Sequence, residues 1–177
     1  MNIALLTGSA HRSGTTAALA REFQRGAEDA GHEVFRFDAA FHDVHPCIGC
    51  DRCRREGVCT FAADDMKRLN PHLLAAEAVV FVSPIYYFDL SAQLKAVIDR
   101  FYANDDALHG GKRALLLTAM ADEDLGAAEG ADTTFRSICA YLQWENAGIL
   151  NAASASTAED LTEEDLRRAY DLGKDLK

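Results

Sequence analysis

Short apolar runs alternate along the chain with longer stretches whose apolar residues recur at helical spacing. Asn2–Thr7 (NIALLT) is a compact apolar run ending at Gly8, the pattern of a strand covered on both faces. From about residue 14 to 30 the spacing is helical, and Gly31 is placed to close the helix. Glu33–Asp38 (EVFRFD) alternates apolar and polar, as a more peripheral strand does. Asp64 and Asp65 then open a short helix that Pro71 interrupts or kinks. Residues 78–82 (AVVFV) and 112–118 (KRALLLT) repeat the buried-strand signal. Between them Leu90, Leu94, Val97, Ile98 and Phe101 mark an amphipathic helix. Phe135, Ile138, Cys139 and Leu142 mark another, residues 148–155 form a weak strand of small residues, and residues 162–176 close the chain as a helix. Thr162 and Asp165 supply a capping box at its start.

Five strands alternating with helices imply a parallel α/β sheet with both faces covered, because right-handed crossovers place helices on either side. The expected architecture is a flavodoxin-like three-layer sandwich with a five-stranded parallel sheet of order 2-1-3-4-5, occupying residues 1–177 as one domain. In such sheets a ligand lies beyond the carboxyl ends of the strands, at the switch point between strands one and three. The loops after Thr7, Val82 and Thr118 are therefore the ones that matter for function.

Charge narrows the partners. A formal net charge of -10 lacks the clustered Lys and Arg that nucleic acid or an anionic membrane surface requires; the one basic cluster is Arg52, Arg54 and Arg55. The N-terminal apolar run has neither the basic region nor the cleavage pattern of a signal peptide, and no apolar run is long enough to span a bilayer. The expected location is the cytoplasm, where clustered cysteines are metal-binding or redox-active more often than disulfide-bonded.

The loop after the first strand, GSAHRSGTT, runs from strand to helix through small and hydroxyl residues, suited to a phosphate dianion at a helix N-terminus. It has no Walker lysine, since Thr15 follows Gly14, and so does not fit a magnesium-bound triphosphate. It also lacks G-x-G-x-x-G spacing, although Asp38 ends the second strand where an acid meets an adenosine ribose. A turn that only caps the helix is the plainer alternative. After Val82 comes SPIYYFDLSAQLKAVIDR, whose proline and aromatics at the end of a core strand would pave a slot for a flat ring system. The competing reading is that Tyr86, Tyr87 and Phe88 are core or subunit contacts.

Taken in order, GSAHRSGTT, CIGCDRCRREGVC followed by DDM at residues 64–66, SPIYYFDLSAQLKAVIDR and GKRALLLT make the chain resemble the NADPH-dependent FMN reductase family over nearly its whole length, within the branch that includes iron-sulfur flavoproteins. The resemblance implies FMN, a nicotinamide nucleotide, NADH or NADPH, as electron donor, a small-molecule acceptor such as a flavin or quinone, and a homodimer or higher oligomer. It places Ser9, His11, Ser13, Gly14, Thr15 and Thr16 around the phosphate, Pro84, Ile85, Tyr86, Tyr87 and Phe88 along the ring and ribityl chain, and Thr118, Ala119 and Met120 as a third wall. The family commonly carries arginine where this chain has His11, so Arg12 or the helix dipole is expected to supply the missing charge, with FMN binding weakening as His11 loses its proton. No catalytic acid or base is implied, because the flavin carries the chemistry; Asp64, Asp65 and the acids at 122–124 read as helix starts and solvated loop.

Cys47, Cys50, Cys53 and Cys59 lie in a cysteine-rich loop at about residues 42–62, with the spacing C-x2-C-x2-C-x5-C. Three readings stand side by side. The four thiols hold one [4Fe-4S] cluster that exchanges electrons between FMN and a ferredoxin-type donor; they hold structural zinc in a flavin-binding module without turnover, although zinc sites more often use two separated C-x2-C pairs; or the arginines leave them as reactive thiols. The isolated Cys139 falls on an apolar helix face and is expected in the core.

Overall fold

The computed structural model describes residues 1–177. Its strands are β1 (Asn2–Thr7), β2 (Glu33–Asp38), β3 (Ala78–Tyr86), β4 (Asp89–Leu90), β5 (Arg113–Ala119) and β6 (Glu145–Ala152). The helices are α1 (Thr15–Asp29), α2 (Arg52–Glu56), α3 (Met66–Ala75), α4 (Ala92–Asp99), α5 (Asp105–Leu108), α6 (Glu129–Leu142) and α7 (Glu163–Lys174). The strands lie in the order β2-β1-β3-β5-β6, all parallel. This is the expected 2-1-3-4-5 order, with the two-residue β4 added as an antiparallel partner to the end of β3.

Strand alternation builds two cores from adjacent residues. Leu5, Val80, Leu115 and Leu150 point to the face covered by α1 and α7, where they meet Leu19, Phe23 and Ala169. Leu6, Phe81 and Leu116 point to the other face, against Leu69 of α3, Leu94 of α4 and Phe135 of α6. On the first face α1 and α7 cross at a mutual notch. A Cβ on Gly26 would lie 2.0 Å from the Tyr170 carbonyl oxygen, and one on Gly173 2.1 Å from the Phe23 carbonyl oxygen. Cys139 is buried against the second face. No helix is long and apolar enough to cross a membrane.

Several boundaries depart from the sequence reading, each for a local reason. Strand β3 continues through Pro84 to Tyr86, because Pro84 still pairs with Ala119 and Ile85 and Tyr86 pair with β4. Leu90 therefore belongs to β4, and α4 starts only after Ser91, whose hydroxyl accepts from the Leu94 amide. Helix α3 passes through Pro71, which removes one backbone bond in a helix held by buried Met66, Leu69 and Leu73. β6 begins at Glu145 because its polar first residues pair with Arg113 and Ala114 on one side only and face solvent elsewhere. The expected capping box of Thr162 and Asp165 heads α7.

Candidate functional site

Gly8 and Ser91 lock the two principal loops together at the carboxyl edge of the sheet. The Gly8 amide donates to the Val82 carbonyl at 2.8 Å, the Ser91 hydroxyl donates to the Gly8 carbonyl at 2.9 Å, and the Ser91 amide donates to the Ser83 hydroxyl at 2.9 Å. Only glycine fits at position 8, since a Cβ there would lie 2.2 Å from Ser91 Oγ. The loop after β1 and the loop after β3 are thus held as one unit, and between them lies a cleft of about 660 Å³.

One end of this cleft is lined by Ser9, His11, Ser13, Gly14, Thr15 and Thr16. Gly14 is the N-cap of α1, and no side chain caps the helix, so the amides of its first turn have no side-chain partner at the cleft. Ser9 is buried, and its Oγ accepts from the His11 amide at 3.1 Å, which fixes the curl of the loop. The other end is apolar: Pro84, Ile85, Tyr86, Ala119, Met120 and Ala121 line it.

The sequence reading gathered most of these residues but not all of their neighbours. Ala155, Ser156, Thr157, Ala158 and Glu159, in the segment after β6, form a further wall. The Thr15 hydroxyl donates to the Ala155 carbonyl at 3.4 Å and joins that wall to the loop after β1. The only signal for it was topological, since the segment leaves the same carboxyl edge.

Four predicted residues lie outside the cleft lining. Thr118 is fully buried, and its hydroxyl donates to Asn151 Oδ1 at 2.6 Å within the sheet. Arg12 turns away, with its guanidinium carbon 3.7 Å above the Phe41 ring. Tyr87 and Phe88 form the tip of the β3–β4 hairpin, 99% and 64% exposed, with φ of 47° and 69°. Two bulky aromatics in the left-handed region, where a two-residue turn favours Asn-Gly, are strained.

Cys47, Cys50, Cys53 and Cys59 all line a second, small pocket of about 20 Å³ together with Arg100 and Tyr102. The donor set suits an iron-sulfur cluster, but no three His, Cys, Asp or Glu side chains converge into a group that could hold a metal ion. Cys50 Sγ instead lies 3.2 Å from Thr60 Oγ1, and this hydrogen bond, with backbone bonding from Arg52 and the charge of Arg55, holds its thiol below the ordinary range. Burial pushes the Cys139 thiol up to about 11.

A parallel sheet in this order, with an uncapped helix N-terminus and an apolar slot meeting at its carboxyl edge, defines the flavodoxin-like class of α/β proteins. The chain belongs to the NADPH-dependent FMN reductase family, whose model matches residues 1–153. An iron-sulfur flavoprotein of Methanocaldococcus jannaschii is 33% identical over 100 residues, which are 56% of this chain and 51% of that protein. An FMN-dependent NADH:quinone oxidoreductase of Methylorubrum extorquens is 31% identical over 126 residues, 63% of this chain and 62% of that protein. The chain matches about half the length of the curated iron-sulfur flavoproteins it resembles. Among solved structures, an NAD(P)H:quinone oxidoreductase of Methanothermobacter marburgensis has a TM-score of 0.74 at 20% identity, over 99% of this chain and 95% of that one, a likeness of fold.

Proposed function

We propose that the chain is an FMN-dependent NAD(P)H oxidoreductase whose electrons pass to a flavin, a quinone or another small acceptor. The observation that carries this reading is that one cleft of about 660 Å³ joins an uncapped helix N-terminus to an apolar slot. Its size falls within the roughly 300–1,000 Å³ of small-molecule sites.

The residues present suit FMN. The amides opening α1 and the hydroxyls of Ser9, Ser13 and Thr16 would hold the phosphate, helped by the positive end of the helix dipole, while the Thr15 hydroxyl is spent on the Ala155 carbonyl. Pro84, Ile85, Tyr86, Ala119 and Met120 would lie along the ring and keep water from it. When bound, FMN supplies hydride acceptance at N5 and onward electron transfer. The protein's share is orientation: the Gly8–Ser91 lock fixes the phosphate cradle relative to the wall that would hold the ring.

Protein that shows flavin absorption bands and oxidises NADH or NADPH when an acceptor is supplied supports the reading. Protein that neither carries nor takes up FMN overturns it. Assembly as a homodimer or larger oligomer, working in the cytoplasm, belongs to the same proposal, and light scattering on the purified protein reads the assembly.

A second reading is favoured by the four cysteines around one pocket: electron carriage between a [4Fe-4S] cluster and FMN, with a ferredoxin-type donor. The thiols as folded do not converge into a ligating set. Iron, sulfide and zinc analysis of anaerobically purified protein decides between cluster, structural zinc and free thiols.

A further inference from the structure

A small polar pocket of about 70 Å³ adjoins the phosphate end of the cleft on the β2 side and shares Ser9, His11 and Thr16 with it. It lies toward the end of β2, the side on which a dinucleotide-binding α/β sheet sets an acid against the adenosine ribose. This chain has that acid, Asp38, but uses it internally. Asp38 Oδ1 accepts from the Thr7 hydroxyl at 2.6 Å and from Arg36 Nε at 2.8 Å.

Arg12 and Phe41 complete the lining. Phe41 ends the one-turn helix Ala39–Phe41 that directly follows β2, and that turn is anchored by the next residue. His42 stacks on Phe37 at 4.2 Å between ring centroids, and its Nδ1 lies 3.2 Å from Asp65 Oδ2. The Arg12 guanidinium packs on the Phe41 ring at 3.7 Å. The remaining space is room for about two waters by their share of liquid volume, well below the roughly 300 Å³ at which ligand pockets begin.

We propose that Arg12 and Phe41 set the size of the cofactor: their stack closes the space beyond the phosphate loop, so that the site takes a flavin mononucleotide and excludes the adenosine half of FAD. This rests on the reading that residues 9–16 hold the flavin phosphate. Arg12 is thereby a specificity-determining residue, and its charge beside the loop is a by-product of closing the pocket.

The test is titration of flavin-free protein with FMN and with FAD, followed by quenching of flavin fluorescence. The unsubstituted protein is expected to bind FMN at least about tenfold more tightly than FAD. Phe41→Ala opens the pocket and is expected to narrow that ratio by at least about threefold, the scale of losing one exposed cation–π contact. Arg12→Ala, which removes the other half of the stack and likewise opens the pocket, provides the same reading should the Phe41 variant fail to fold. Equal affinities in the unsubstituted protein, or a ratio untouched in the folded variant, overturn the proposal while leaving FMN binding intact. Failure to bind either flavin overturns the underlying reading instead.

Discussion

Arg100 and Asp64 form an ion pair whose side chains are both almost wholly buried, with Nη1 2.5 Å from Oδ2. Around it the two ends of the cysteine loop are closed. Arg100 donates to the His45 carbonyl at 2.8 Å and the Phe61 carbonyl at 3.2 Å, while Asp64 accepts from the His45 amide at 3.1 Å and the Met66 amide at 3.0 Å. The pair clamps residues 45–61 onto the end of α4. Arg100 Nε is left buried without a partner, so the clamp is satisfied everywhere but at that atom.

Removing one member leaves the other as an uncompensated buried charge. Arg100→Met is expected to cost about 3–5 kcal/mol in urea unfolding. Pairing it with Asp64→Leu should recover a large part of that loss, since an apolar pair of similar volume needs no desolvation. A double variant as unstable as the single one would show that the backbone bonds to His45 and Phe61, rather than the charge pairing, supply the stability.

The thiols are expected to separate by reactivity. Alkylation requires the thiolate, so Cys50, held below the ordinary range chiefly by Thr60, should react fastest near neutral pH and gain rate at lower pH than an unperturbed thiol. Cys139, buried and pushed up to about 11, should be spared until the protein unfolds. Peptide mapping after timed iodoacetamide exposure reads both, and Thr60→Val should move the Cys50 rate profile toward higher pH.

The crossing of α1 and α7 tolerates no side chain at either glycine. Gly26→Ala or Gly173→Ala must push the helices apart, and each is expected to destabilise by at least about 1–3 kcal/mol as overpacking does. Gly31→Ala is a different case: nothing lies within 4 Å of its Cβ position, and its cost arises from φ of 83° alone. Thermal unfolding of the three variants checks the ordering.

Tyr87 and Phe88 hold left-handed conformations that cost of order 1–3 kcal/mol each. Replacing the pair by Asn-Gly, the residues this turn prefers, should raise stability by about 1 kcal/mol or more. If the exposed aromatics serve the acceptor, the same variant should raise the acceptor KM while leaving FMN affinity in place, and a variant with unaltered KM would assign the strain to another role.

Much of the site was legible because its logic is local. The hydroxyl-rich turn between a buried strand and an amphipathic helix suits an anion by composition and position, and residues 9 and 13–16 line one end of the cleft together. In sequence the aromatic run after Val82 forms one surface, but a two-residue hairpin splits it. Pro84, Ile85 and Tyr86 face the cleft, while Tyr87 and Phe88 are carried out to solvent. Turn type depends on pairing with β4, which two residues cannot announce in sequence.

By itself the sequence determined the sheet order, the two-faced core and the family, because strand alternation, helical spacing and four ordered motifs are each properties of residues near one another in the chain. Tertiary structure alone decided that Ala155–Glu159 reach Thr15, that Arg12 covers Phe41 rather than the cleft, and that four nearby cysteines share a pocket without converging. Each of these depends on where distant backbone segments are anchored, which no local pattern encodes.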